Sequence, residues 1–209
     1  MHTCWDLGSP VNTVTWYFQI VGPEIRVIDC DSDLDLTPVE RVSRLLAKGY
    51  TYGFHYLPHD AAATQKSGRT FQTELNHVGL PNTRVVPQTH DISVGINHLR
   101  QIMPRMTFRV PACDRGLEAL SCYHTKRETS GGTALDIPVH DFSSHFSDSL
   151  RVLAEADMSG MLQRGGSPSM HRPVIVKSGF RGDQHDQPGA LDPLDVFFGK
   201  ERRNVRVIR

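Results

Sequence analysis

Long apolar runs, paired cysteines and net charge are what this 209-residue chain lacks. No stretch approaches the ~20 consecutive apolar residues that a membrane span needs, and the opening "MHTCWDLG" has neither the basic nor the apolar region of a secretory signal. A cytoplasmic chain with no membrane attachment is expected. Cys4, Cys30, Cys113 and Cys122 never stand as Cys-x-x-Cys, which excludes a zinc knuckle and a redox pair, so four free, mostly packing thiols are expected. The formal net charge is zero, so an anionic partner has to be met by local basic clusters or by bound cations. A Gly-x-x-x-x-Gly-Lys-[Ser/Thr] loop is also missing, and with it the usual cradle for nucleotide phosphates.

What is present is the composition of a soluble domain, 38% apolar and 22% charged, long enough to bury one sizeable core. "TCWDL", "TVTWYFQIV" and "EIRVIDC" are β-rich and separated by turn formers, which predicts a three-stranded antiparallel meander. In "LTPVERVSRLLAKGY" Thr37 can cap, Pro38 suits the first helical position and Glu40 completes a capping box. "YGFHYLPHD" then reads as a strand, and because a helical crossover precedes it, it should run parallel to a meander strand. A short helix in "FQTELNHVGL", a strand in "TRVVPQ", helices near 91–103 and 114–125, a loop or hairpin over 126–139 and a helix over 143–157 follow. The fold class is therefore α/β with a mixed sheet flanked by helices. Residues 1–158 form the domain; 159–209, rich in Gly, Pro, Ser and His, form an extension expected to be partly disordered or partner-dependent. Its end, "GKERRNVRVIR", holds five basic residues and one acid.

Two acids sit at strand ends: Asp6 before a Gly turn, and Asp60 just beyond the fourth strand. If those strands are parallel neighbours, both carboxylates emerge where α/β folds place ligands. In the last helix Phe146, Leu150, Leu153 and Ala154 form an apolar stripe that Asp148 flanks, with His145 beside it. Three acids brought together repel unless divalent cations neutralise them. Each also has a structural explanation: Asp6 can serve a turn, Asp60 can cap a helix, and Asp148 can lie at a solvent border. Asp29, Asp31, Asp33 and Asp35 are expected in a solvated loop, while Trp5, Trp16, Phe18, Met103, Met106 and Phe108 should fill the core.

The stretches "WDLG" with "TVTWYFQ", "KGYTYGFHYLPHDA", "VVP" before "VGINHLRQIMP", "CDRGLEAL" with a Tyr three residues on, and "PVHDFSSHFSDSLRVLA" occur together in this order over roughly residues 3–155. In this the chain resembles the C-terminal nuclease domain of phage terminase large subunits. The resemblance implies a ribonuclease H-like mixed sheet, and metal-dependent endonuclease cutting of concatemeric double-stranded DNA during genome packaging in the host cytoplasm. It implies Asp6, Asp60 and Asp148 as the catalytic, metal-binding triad for Mg²⁺ or Mn²⁺, with two ions, and Asp141 as a lesser ligand or a helix cap. Where the family commonly has a second acid after the first aspartate, this chain has Asn12, a neutral and weaker ligand.

Complete large subunits carry an ATPase domain, so the resemblance implies that domain, the portal and the small terminase subunit as partners, and this chain is not expected to power translocation alone. Lys66, Arg69, Lys126 and Arg127 are the candidate phosphate contacts, with Arg100, Arg105 and Arg109 more scattered. His55, His59, His140 and His145 lie near the two best motifs, and His59 or His145 could orient a water. Two other readings stay open: a non-catalytic terminase-derived DNA- or portal-docking module, and another ribonuclease H-like nuclease such as a junction resolvase or an RNA-strand nuclease.

Overall fold

The computed structural model of the protein describes residues 1–8, 12–65, 67–130, 133–162 and 206–208, with 127–130, 133–136 and 206–208 described by backbone alone. β1 (His2–Gly8), β2 (Asn12–Val21) and β3 (Glu24–Leu34) form the expected antiparallel meander. α1 (Pro38–Ala47) opens on the expected capping box: the Thr37 hydroxyl accepts from the Glu40 backbone N–H and the Glu40 carboxylate accepts from that of Thr37. The chain then crosses over to β4 (His55–Leu57), which pairs parallel with β1. α2 (Phe71–His77) leads to β5 (Thr83–Val85), parallel to β4. α3 (Ile92–Ile102), β6 (Met106–Arg109), α4 (Asp114–Cys122), the hairpin β7 (Thr125–Ser130) and β8 (Thr133–Pro138), and α5 (Phe142–Met158) follow. Within 126–139 the chain thus takes the hairpin alternative.

The main sheet has the order β5-β4-β1-β2-β3-β6, and β9 (Arg206–Ile208) adds a parallel strand outside β6. A meander extended by parallel strands on the β1 side, with helices on both faces, is the ribonuclease H-like arrangement. β6 was not legible as a strand: four residues between Pro104 and Pro111 carry too little periodicity, and only pairing with β3 makes them one. α4 stops at Cys122, short of the expected Thr125. Ser159 caps α5, and apart from 206–208 the extension beyond Leu162 lies outside the described residues. Among the described residues no helix is long and apolar enough to cross a membrane.

Two cores flank the sheet. One, holding Cys4, Val14, Trp16, Phe18 and Phe108 with α3, α4 and α5, contains the Trp16 indole, which meets Phe108 and Phe146 edge-on at 5.9 and 6.0 Å and donates to the Phe146 carbonyl at 3.0 Å. Truncating Trp16 to Ala would cost about 3–5 kcal/mol. The other holds Trp5, Tyr17, Val42, Leu45, Leu57 and Leu75 under α1 and α2. α5 comes close to the sheet because small residues face it: Ser143, Ser144, Ser147 and Ser149 are buried, and the Ser149 hydroxyl donates to the Cys4 carbonyl at 2.9 Å. The aromatic and methionine residues expected inside are all buried, and all four cysteines are free.

One expectation is overturned. Asp29, Asp31 and Asp33 are not in a solvated loop but in β3. The β2–β3 register shifts between Tyr17 and Phe18: Phe18 pairs with Val27 and Tyr17 with Asp29, so Ile28 bulges out. Because side chains alternate, one extra residue flips the face, sending Ile25 and Val27 to the α5 side and the later odd-numbered residues to the α1 side. There Lys48 Nζ lies 2.7 Å from Asp29 and 3.0 Å from Asp31, and Asp33 meets Arg44 at 2.8 Å and Arg41 at 3.5 Å. Asp35 alone lies in an exposed turn, with φ of 52°.

Candidate metal centre

Because β1 and β4 run parallel with Cys4 opposite Tyr56, Asp6 lies two residues beyond that pair and Asp60 four. Asp60 follows the buried Pro58 in a short 3-10 helix, His59–Ala62, and is exposed. Asp6 pairs with Val14 and so shares the sheet face on which α5 lies. From α5, His145 Nδ1 stands 2.9 Å from Asp6 Oδ2. That imidazole lies directly over Gly8: a Cβ there would meet His145 Nδ1 at 2.6 Å and the Asn12 carbonyl at 2.4 Å, so only glycine admits the ring.

Burial pushes the Asp6 carboxyl above its ordinary range; the bond to His145 opposes this, and the nearby charges of Asp148 and Asp60 add to it. Asp6, near the end of β1, thus feels the charges of Asp60 on the 3-10 turn and of Asp148 on α5. The bond to Asp6 raises the His145 imidazole, against its own desolvation. Asp148, its side chain 18% exposed, is held by Arg151, whose Nη2 and Nε reach Oδ1 at 3.1 and 3.3 Å. Among the described residues, no three His, Cys, Asp or Glu side chains form a ready-made cage for a metal ion.

The other expected site residues divide. Asn12 begins β2 opposite Gly8, and its Oδ1 is buried with no hydrogen-bond donor among the described residues. Asp141 caps α5: its Oδ1 accepts from the Ser143 N–H at 2.8 Å and from the Ser143 hydroxyl, bonds that hold its carboxyl below the usual range. Arg69 is exposed and, with Gly68, Thr70, Thr73 and His77, lines an open depression of about 410 Å³. Lys126 is exposed on β7, whereas Lys66 and the side chain of Arg127 lie outside the described residues. Arg105 is bound to the Pro23 carbonyl and to Asp157.

Of the histidines, His55 is buried with Nδ1 at 2.7 Å from the Thr3 hydroxyl, and desolvation lowers it to about 4, a structural role. His59 is exposed beside Asp60, and the His140 ring stands edge-on to His145 at 5.1 Å. The sequence motif that holds Asp148 includes Arg151, three residues on, but no role for it was legible there.

No family model and no curated sequence matches this chain. Among solved structures, it superposes on the large terminase of the thermophilic bacteriophage D6E with TM-scores of 0.57 and 0.58 in two crystal forms, at 13% identity over 75% of this chain and 39% of that one. It also matches the large terminase nuclease of thermophilic phage G20c, a structure with bound magnesium, at TM-score 0.50 and 18% identity over 73% of this chain and 78% of that one. The fold is that of phage large terminase nucleases. The chain spans well under half of the D6E protein but most of the separate nuclease, so the resemblance read from the motifs holds at the level of fold.

Within this terminase nuclease fold, the donor set suits a hard divalent cation: carboxylate oxygens plus a buried carboxamide oxygen that no donor among the described residues meets. An ion would offset the burial, and the lesser repulsion, that push Asp6 up, and the exposure of Asp60 leaves room for water and phosphate. Asp6, Asp60 and Asp148, with Asn12 as a neutral addition, are the residues that could hold it. Asp141, occupied with its own helix, is worse placed.

Proposed function

We propose that this chain is a metal-dependent DNA endonuclease, the nuclease part of a phage large terminase that cuts concatemeric double-stranded DNA during genome packaging. The observation that carries the reading is Asp6: a largely buried carboxylate, pushed up by burial and by the charges of Asp148 and Asp60, at the sheet end of a terminase nuclease fold. Mg²⁺ or Mn²⁺, two ions in the fullest form, would supply Lewis acidity toward the scissile phosphate and a water acidic enough to attack it. Asp6, Asp60 and Asp148 hold the cations, and Asn12 contributes an uncharged oxygen. His145 fixes the rotation of the Asp6 carboxylate through one of its oxygens.

A duplex reaching this acidic end needs cations at its margins, since the chain has no net positive charge. Arg69 and Lys126, with Lys66 and Arg127, are assigned to phosphate rather than base contacts. The ATPase domain, the portal and the small terminase subunit are the partners of such a nuclease, and the host cytoplasm its place of action. The test is incubation of the chain with supercoiled plasmid and Mg²⁺ or Mn²⁺, beside Asp6→Ala and Asp148→Ala. Nicking or linearisation by the wild type only is expected; cutting that survives both substitutions would overturn the assignment.

Asn12 favours one second reading, a non-catalytic DNA- or portal-docking module, because an amide replaces the family's common acid. Plasmid binding without cutting under either metal would select it, and preferential cutting of branched DNA or RNA–DNA hybrids would select a different ribonuclease H-like nuclease.

A further inference from the structure

Asp148 is gripped from one side by a chain of contacts that runs back to α3. Arg151, with a side chain only 17% exposed, directs Nε and Nη2 to a single oxygen of Asp148, Oδ1, at 3.3 and 3.1 Å. Its remaining arm, Nη1, donates to Glu155 Oε1 at 2.8 Å. Glu155 is 4% exposed, and the same Oε1 accepts from the Thr89 hydroxyl at 2.9 Å. Residues 148, 151 and 155 fall at i, i+3 and i+7 on one helical face, so α5 itself aligns the three charges. The stem of Arg151 rests on α3 at Gly95, where a Cβ would come within 2.8 Å of Cγ, 2.9 Å of Cδ and 3.0 Å of Glu155 Oε1.

A guanidinium paired only for stability does best with both of its parallel N–H donors on the two oxygens of one carboxylate. Here Nε and Nη2 converge on one oxygen while Nη1 goes to a second acid, and every hydrogen bond to Asp148 among the described residues falls on Oδ1. Among the described residues Oδ2 carries no hydrogen bond, and Asp148 stands one turn along α5 from His145, which meets Asp6. The two acids also outweigh burial in holding the guanidinium above its usual range.

We propose that Arg151 is a positioning residue of the cation site: it anchors Asp148 through Oδ1 and so presents Oδ2 to the divalent ion, while Glu155, Thr89 and the absence of a side chain at Gly95 fix Arg151 in turn. The proposal rests on the reading of Asp148 as a metal ligand. It makes an unusual demand, because two influences of Arg151 on a cation oppose each other. As a positive charge it repels the ion; as an anchor it pre-orients the ligand, and outer-shell partners of this kind contribute roughly 10- to 100-fold in metal affinity.

The test measures Mn²⁺ binding to the full chain by titration calorimetry, together with the half-saturating Mn²⁺ concentration in plasmid nicking, for wild type, Asp148→Asn, Arg151→Gln, Arg151→Lys and Gly95→Ala, each with a thermal melt. Arg151→Gln should bind Mn²⁺ on the order of tenfold more weakly although a repelling charge has gone, with the half-saturating concentration rising more than the rate at saturation falls. Arg151→Lys, which keeps the charge and loses the fork, should not restore affinity. Gly95→Ala leaves Asp148 untouched, crowds the Arg151 stem and Glu155 Oε1, and should weaken binding severalfold by displacing them.

Unchanged or tighter Mn²⁺ binding in a folded Arg151→Gln overturns the proposal and makes Arg151 a mere counterion. If that variant does not fold, wild-type affinity in Gly95→Ala overturns it instead. Equal Mn²⁺ binding by wild type and Asp148→Asn would be a different failure, that of the metal reading itself.

Discussion

The sheet carries two clusters of aspartates on opposite faces, and they are built to opposite rules. On the α1 side Asp29, Asp31 and Asp33 meet Lys48, Arg44 and Arg41, and the Tyr17 hydroxyl donates to Asp31 at 2.8 Å, so nearly every charge is answered. On the α5 side His145 meets Asp6 and Arg151 meets Asp148, and Asp6 is pushed above its usual range by burial and by the charges of Asp148 and Asp60. Counting acids, three in each cluster, does not separate the two. Counting the cations that already answer them favours the second, because carboxylates short of partners within the chain are the ones that an outside ion can neutralise.

The largest expected effect tests that difference directly. Asp6→Asn should lower metal-dependent plasmid cutting roughly a thousandfold, the equivalent of several kcal/mol of transition-state stabilisation, while leaving the melting temperature of the metal-free protein unchanged or raised. Asp33→Asn should do the reverse. Asp33 and Arg41 are each 6% exposed, and removing one partner of a buried pair costs about 3 kcal/mol, read as a lower urea midpoint with cutting per folded molecule preserved. If both substitutions behaved alike, the contrast between the clusters would be wrong.

Proton dependence separates them next. Asp6 and His145 are both raised by folding, so each contributes stability that is complete below its unfolded pKa, 3.8 for Asp6 and 6.5 for His145, and lost as pH rises through the folded value. Lys48 is raised from 10.5, so its contribution persists throughout the neutral range. Without divalent cations, stability should therefore decline as pH rises past 6.5. His145→Gln should flatten that decline, Mn²⁺ should offset it, and Lys48→Met should not change its shape; chemical denaturation across pH 6–9 reads all three.

The smallest effects come from the helix caps on the two sides. Thr37→Ala on α1 and Asp141→Ala on α5 each remove a side-chain acceptor from a helix N-terminus, and each should cost about 1 kcal/mol in thermal or urea unfolding with cutting retained. A collapse of cutting in Asp141→Ala alone would move Asp141 from cap to ligand.

Much of the fold was legible because local chemistry and tertiary outcome agree. The turn formers after β1 and β2, the Thr37–Pro38–Glu40 start of α1 and the crossover to a parallel β4 each follow from a few adjacent residues, and together they carry Asp6 and Asp60 to the same end of the sheet. The stripe on α5 likewise put Asp148 at the edge of a buried face.

What the tertiary structure alone decided depends on partners distant in the chain. β6 exists because β3 offers an edge, and the Ile28 bulge, which turns Asp29, Asp31 and Asp33 toward α1, is a property of strand pairing and not of any residue type. The grip of Arg151 on Asp148 needs Glu155, Thr89 and the bare backbone of Gly95, three places that only packing brings together. Sequence by itself determined every element of the domain but β6, since propensity and periodicity act over a few neighbours; which charges are left unanswered was decided in three dimensions, since Coulomb energy and desolvation depend on distance in space and not on distance along the chain.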